Sequence, residues 1–218
     1  MVKKISPLGL FFCIMVVGDN MKEIVIATKN KHKIVEMKHS LEPLGYKVLS
    51  LFDFEEFPEI IEDKDTFRGN ALKKAQELSE YLNKDVIADD SGIEVESLNN
   101  RPGVYSARYS GENATYTENN HLLLKELQGV SNRTARFVTT ICMYNIGQEP
   151  IYFEDYLYGN IGYEFKGDNG FGYDPLFIVE GGSRHLAEYS LEEKNQISHR
   201  GKCLKQLTEY IRNKKDNE

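Results

Sequence analysis

Apolar positions along this chain switch repeatedly between a strand-like and a helix-like rhythm. An uninterrupted run at Ile24, Val25, Ile26 and Ala27 reads as a first buried strand reaching Thr28, because short apolar runs suit strands covered on both faces. Ile34, Met37, Leu41 and Leu44 then recur at helical spacing, and Pro43 with Gly45 marks the exit. Ala71, Ala75, Leu78 and Leu82 describe a second amphipathic helix, which leads into a strand at Val86, Ile87 and Ala88. Leu123, Leu124 and Leu127 suggest a third helix. From Phe137 to Tyr144 and from Ile151 to Tyr158, alternation and β-branched or aromatic residues predict two strands around a turn at Asn145 to Pro150. Leu204, Leu207 and Ile211 predict a closing helix, after which Asn213 to Glu218 should fray. Helices interleaved with strands, together with one hairpin, predict a mixed α/β fold rather than a purely parallel one.

The first twenty residues break this pattern. Lys3 and Lys4 precede an apolar run from Leu8 to Val17 that has the order of a secretory signal, yet no small-residue cleavage site follows it. The run is also too short to cross a bilayer as a helix. Met21 directly precedes the first strand, so residues 1–20 are expected to be an N-terminal extension from a mis-assigned start, with a targeting segment as the alternative, and 21–218 to form one domain.

A chain of 218 residues with 40% apolar content can build a sizeable core. Its net charge of −7 argues against binding nucleic acid, which calls for a broad basic face, but leaves room for a compact basic pocket around one small polyanion. Cys13, Cys142 and Cys203 show no CxxC spacing and the histidines form no HExxH pair. No structural disulfide or zinc is expected, and a reducing cytoplasm is the expected setting.

Six segments carry candidate chemistry. Asp89, Asp90, Ser91 and Gly92 follow the Val86 strand, which would place acid groups at a strand's C-terminal edge, where α/β folds gather ligands. Two adjacent acids on extended backbone point to opposite faces, so one of them should aim at substrate and metal. Thr28, Lys29, Asn30, Lys31, His32 and Lys33 lie where the first strand hands over to a helix, so amides, helix dipole and ammonium groups could converge on phosphate. Thr66, Asn70 and Lys74 are spaced by four and can face one cleft, with Glu62 just upstream; alternatively Thr66 is an N-cap and Lys74 is solvated. Asn100 to Arg108 and Gly170 to Pro175 combine turn-forming glycine and proline with aromatics on which a base could stack. Lys194, His199 and Arg200 add donors around Ser198, which can cap the last helix. Taken singly, each segment also has an ordinary structural reading as a turn, a cap or a solvated face.

Jointly, ATKNKHK, TFRGNALKKA, ADDSGIEV, RPGVYSARYSG, GFGYDPLF and KNQISHR resemble the inosine triphosphate pyrophosphatase family in content and order, over nearly all of the chain after Met21. The resemblance implies hydrolysis of non-standard purine nucleoside triphosphates (ITP, dITP, XTP) to the monophosphate and pyrophosphate. It also implies a mixed, elongated central sheet flanked by helices, two lobes with the active-site cleft between them, a homodimer, and dependence on Mg²⁺. Carried over residue by residue, Asp90 would be the proton acceptor and a metal ligand, with Glu62 and Asp89 as further metal carboxylates. Thr28 to Lys33 would bind the triphosphate, Asn30 and Lys33 foremost, and Lys74 would reach the same group; Ser91 would touch substrate, Phe171, Gly172, Tyr173 and Asp174 would line the nucleoside pocket, and Lys194, His199 and Arg200 would read the base. These types suit the reaction: water attacking the α-phosphorus must lose a proton while pyrophosphate leaves with added charge. Gly69 departs from the family, whose members usually carry an acid there. Alternatives are a purine nucleotide sensor that does not hydrolyse, a pyrophosphatase for other modified nucleotides, and a phosphotransferase, which the missing glycine-rich phosphate loop disfavours.

Overall fold

A computed structural model of the chain describes residues 21–216. The expectation for residues 1–20 falls outside them. Seven strands form one sheet: β1 (Lys22–Ile26), β2 (Tyr46–Ser50), β3 (Val86–Val95), β4 (Arg101–Pro102), β5 (Thr134–Tyr144), β6 (Ile151–Ile161) and β7 (Phe177–Val179). The sheet order is β2-β1-β3-β5-β6-β7, with the short β4 added to β3. β1 runs parallel to β2 and β3, while β3, β5, β6 and β7 pair antiparallel, so the sheet is mixed as expected. Five α-helices accompany it: α1 (Lys31–Leu41), α2 (Phe67–Leu82), α3 (Tyr116–Glu126), α4 (Leu191–Ile197) and α5 (His199–Lys215).

β5 and β6 differ in a way that sets the layering. β5 is buried at nearly every position, whereas β6 alternates, so β5 is covered on both faces and β6 on one. Ile24, Ile26, Met37, Leu41, Leu204 and Leu207 pack α1 and α5 on one face. Val25, Ala71, Ala75, Leu78 and Ala88 pack α2 on the other. A third cluster, built on Ile93, Leu123, Phe137, Leu157, Leu176 and Phe177, fills the far end of the sheet and makes the second lobe. Full burial of side chains of this kind contributes about 1.5–3 kcal/mol each.

Four expectations need correction. The first strand ends at Ile26 rather than Thr28, and β2 follows α1 where no strand was expected. β3 does not stop before the carboxylates: it continues through Asp89, Asp90, Ser91 and Gly92 to Val95, because β5 pairs with it along its whole length. The last helix stays ordered past Asn213 to Lys215, whose ammonium donates to the carbonyl of Leu44 at 2.6 Å.

Candidate active site

The site follows from unequal strand lengths. β1 pairs with β3 only as far as Ile87 and β4 takes up the same edge only at Glu94 and Val95, so between Ala88 and Ile93 that edge of β3 has no partner strand, at the carboxyl end of β1 where ligands collect in α/β sheets. Gly92 permits a second close approach. A Cβ there would lie 2.3 Å from the Gly103 carbonyl oxygen and 2.5 Å from Ser106 Oγ. Ser106 Oγ also accepts from the amide of Ile93. The result is a cleft of about 870 Å³ lined by Asn30, Lys33, Glu62, Asp90, Phe171 and Arg200 among others. A second cavity of about 720 Å³ shares Lys33 and Glu62 with it and adds Thr28, Lys29 and Lys74.

The two adjacent acids face opposite sides of β3, as their alternation requires. Asp89 Oδ2 meets Lys33 Nζ at 2.9 Å, Arg200 Nε at 3.2 Å and the hydroxyl of Ser91 at 2.9 Å. Burial alone would raise its pKa, but Lys33, Arg200 and Lys74 together hold it far below the usual carboxylate range. Asp90 is held more lightly. Its Oδ2 accepts from Asn70 Nδ2 at 3.0 Å, its Oδ1 from the Ser91 amide at 3.0 Å, and Lys74 Nζ stands 3.8 Å away. Burial pushes its carboxyl above the ordinary value even with Lys74 nearby.

Lys74 is buried, not solvated, and bonds Glu62 Oε1 at 2.5 Å and the carbonyl of Asp89 at 2.7 Å. Thr66 stays out of this group and caps α2 by accepting from the Gly69 amide. The lysines of the first loop separate as well. Only Lys33 enters the acid cluster, while Lys29 and Lys31 lie over the rings of Phe57 and Phe52. Asn30 is the N-cap of α1, and its side chain takes the amides of His32 and Lys33 that were expected to meet phosphate. His32 stacks on Phe171 with ring centroids 5.0 Å apart.

The far side of the cleft is built on Phe171, over whose ring Lys194 Nζ lies at 4.6 Å and the Arg200 guanidinium at 5.5 Å. Lys194 pairs with Asp174 Oδ2 at 2.6 Å, and the Phe171 amide donates to the same oxygen. Burial raises the Asp174 carboxyl despite Lys194. His199 is fully covered, lies flat against Phe137 at 4.8 Å, and burial drives its pKa well below 6.5, so the imidazole is neutral. Tyr173 is buried in the second lobe, its hydroxyl donating to the Ser106 carbonyl, and the Gly172 carbonyl accepts from Asn120.

Residues 24–210 match the sequence profile of the Ham1 family. The chain belongs to the Ham1 family. The dITP/XTP pyrophosphatase of Bacillus licheniformis is 49% identical over 190 residues, covering 86% of this chain and 97% of the relative. That of Exiguobacterium sp. is 45% identical over 185 residues, covering 85% and 94%. Among solved structures, the Ham1 protein of Coxiella burnetii matches with a TM-score of 0.82 at 38% identity, over 88% of this chain and 100% of that one. The Staphylococcus aureus Ham1 protein matches with a TM-score of 0.81 at 39% identity, over the same shares.

Within this Ham1 fold, two residues at the cleft went unpredicted by spacing. Glu36, buried on the apolar face of α1, bonds Arg200 Nη1 at 2.8 Å and stands 3.9 Å from Lys194 Nζ. An acid next to Met37 on a buried stripe is the signal that could have marked it. Tyr116, at the start of α3, receives a hydrogen bond from Asn30 Nδ2 across the cleft.

Proposed function

We propose that this chain hydrolyses non-standard purine nucleoside triphosphates, namely ITP, dITP and XTP, to the monophosphate and pyrophosphate. The observation that carries this reading is the position of Asp90, a buried carboxylate with a raised pKa, in a cleft that has an aromatic wall and shares Lys33 and Glu62 with a second cavity bearing Lys29 and Lys74. The nucleoside would occupy the side of Phe171, Gly172, Tyr173 and Asp174, and the triphosphate would extend past Ser91 toward Lys33, Lys74 and Lys29. Asp90 accepts the proton of the attacking water, a task suited to a carboxylate whose pKa is moved toward neutrality. Lys33 and Lys74 offset the charge that builds on the leaving pyrophosphate.

The residues present fit magnesium. Glu62 and Asp90 both reach the Lys74 ammonium and offer hard carboxylate oxygens, the donor set that holds Mg²⁺ when substrate phosphates complete its shell. Among the described residues no three acidic, histidine or cysteine side chains form a cage by themselves. Asp89 fits less well as a ligand, since its Oδ2 is occupied by Lys33 and Arg200; its part is to hold those cations. Bound Mg²⁺ would supply Lewis-acid stabilisation of the phosphate oxygens.

Discrimination against adenine follows from donors. Hypoxanthine and xanthine present an oxygen at C6, which N–H groups of Lys194, Arg200 or His199 satisfy, whereas the adenine amino group sets donor against donor. Unpaired buried polar groups reject a ligand by several orders of magnitude. The same reading takes the chain as a cytoplasmic homodimer: Cys142 and Cys203 are free thiols, and Tyr105 and Tyr158 offer exposed aromatic surface to a second copy. Product analysis tests the activity. With Mg²⁺, ITP and XTP should yield monophosphate and pyrophosphate while ATP persists; orthophosphate alone, or no turnover, would overturn the assignment.

A further inference from the structure

Asn70 stands in the first turns of α2 with no exposed surface, in a helix interior where asparagine is a poor former and a buried amide is costly unless bonded. Both ends of its side chain are used, and neither bonds its own helix. Nδ2 donates to Asp90 Oδ2 at 3.0 Å, and Oδ1 accepts from the Lys64 amide at 2.9 Å. A backbone N–H can only donate and a carboxylate can only accept, so chemistry fixes the orientation of the amide. Lys64 lies two residues beyond Glu62 in the loop leading to α2, and Arg108 ties the same loop from its other side by donating to the Glu62 carbonyl at 2.9 Å. Gly69 allows the loop to lie this close. A Cβ at position 69 would sit 2.9 Å from Lys64 Cβ and 3.0 Å from Thr66 Oγ1, so any side chain there displaces Lys64.

We infer that Asn70 is a positioning residue that holds the Asp90 carboxylate and the Glu62 loop in fixed relation, and that Gly69 clears the space for this tether. The inference rests on the hydrolytic reading of Asp90 and Glu62 for its consequence, but its geometry can be tested separately. In the unliganded wild-type protein, hydrogen exchange should show the Lys64 amide protected. Asn70→Ala should lose that protection and lower kcat on ITP by roughly 10–100-fold, with KM changed much less, the cost expected when reacting groups are misplaced by about 1 Å. Asn70→Asp retains an acceptor for Lys64 but places a second acid against Asp90, so protection should persist while kcat still falls. If the buried substitutions prevent folding, Gly69→Glu approaches from the helix's outer side, and it should unprotect the Lys64 amide. An unprotected Lys64 amide in the wild type, or wild-type kcat in Asn70→Ala, would overturn the inference. A wild-type protein that protects Lys64 yet releases no pyrophosphate from ITP would instead refute the hydrolytic reading and leave the tether standing.

Discussion

The two sides of β3 treat neighbouring carboxylates in opposite ways. On the side of α1 and α5, Asp89 belongs to a chain of buried ion pairs running from Lys33 through Arg200 to Glu36, Lys194 and Asp174. On the side of α2, Asp90 has one amide partner, one backbone donor and a more distant ammonium. Asp89 is held through Oδ2 by Lys33 and Arg200. With its charge incompletely balanced, Asp90 has the raised pKa that its proposed role as proton acceptor calls for. One strand thus separates a fully paired acid from a lightly held one by a single residue, and cation placement decides which is which.

The comparison can be broken hardest at Asp90. Asp90→Asn keeps the size and removes the base, so ITP turnover should fall about 10²–10⁴-fold with little change in binding; steady-state kinetics beside analogue titration checks this. Retained turnover would move the base elsewhere. Asp89→Asn should act on stability, because Lys33 and Arg200 would be left buried without their shared counter-charge. Losing one partner of a buried pair costs about 3–5 kcal/mol, readable by urea unfolding.

Acid should undo the Asp89 side in two stages. His199 is depressed well below 6.5 in the fold, so the unfolded chain binds the extra proton as pH drops below that value, and stability is lost by up to about 1.4 kcal/mol per pH unit. Asp89 has a folded pKa below its ordinary 3.8, so its contribution is fully present above 3.8 and fades only below it. Unfolding of His199→Gln followed against pH should lack the first stage and keep the second. The smallest effect belongs to Lys31, which leans on exposed Phe52. Lys31→Ala should cost at most about 0.5–1 kcal/mol and leave ITP kinetics unchanged, whereas Lys33→Ala should impair both.

Much of this was legible in the sequence, for identifiable reasons. α1, α2, α5 and the β5-β6 hairpin were readable because their apolar residues repeat at one spacing and each buries one main face. β2 was not, since Tyr46 to Ser50 is short and follows the exit of α1 almost directly. The continuation of β3 was hidden because two acids, a serine and a glycine resemble a turn; only cations from α1, α2 and α5 make them tolerable inside a sheet. The family motifs brought Asp90, Phe171 and Lys194 to one cleft with Lys74 in the adjoining cavity, and put Lys33 ahead of Lys29 and Lys31; where each lysine side chain turns after the N-cap at Asn30 was not readable from them. Glu36 escaped because its partner Arg200 lies 164 residues away.

The central claim is that water, activated in the cleft, attacks the α-phosphorus. Turnover of ITP in H₂¹⁸O tests it most directly. The account predicts ¹⁸O in the inosine monophosphate and none in the pyrophosphate; label in the pyrophosphate would place the attack on the β-phosphorus and contradict it.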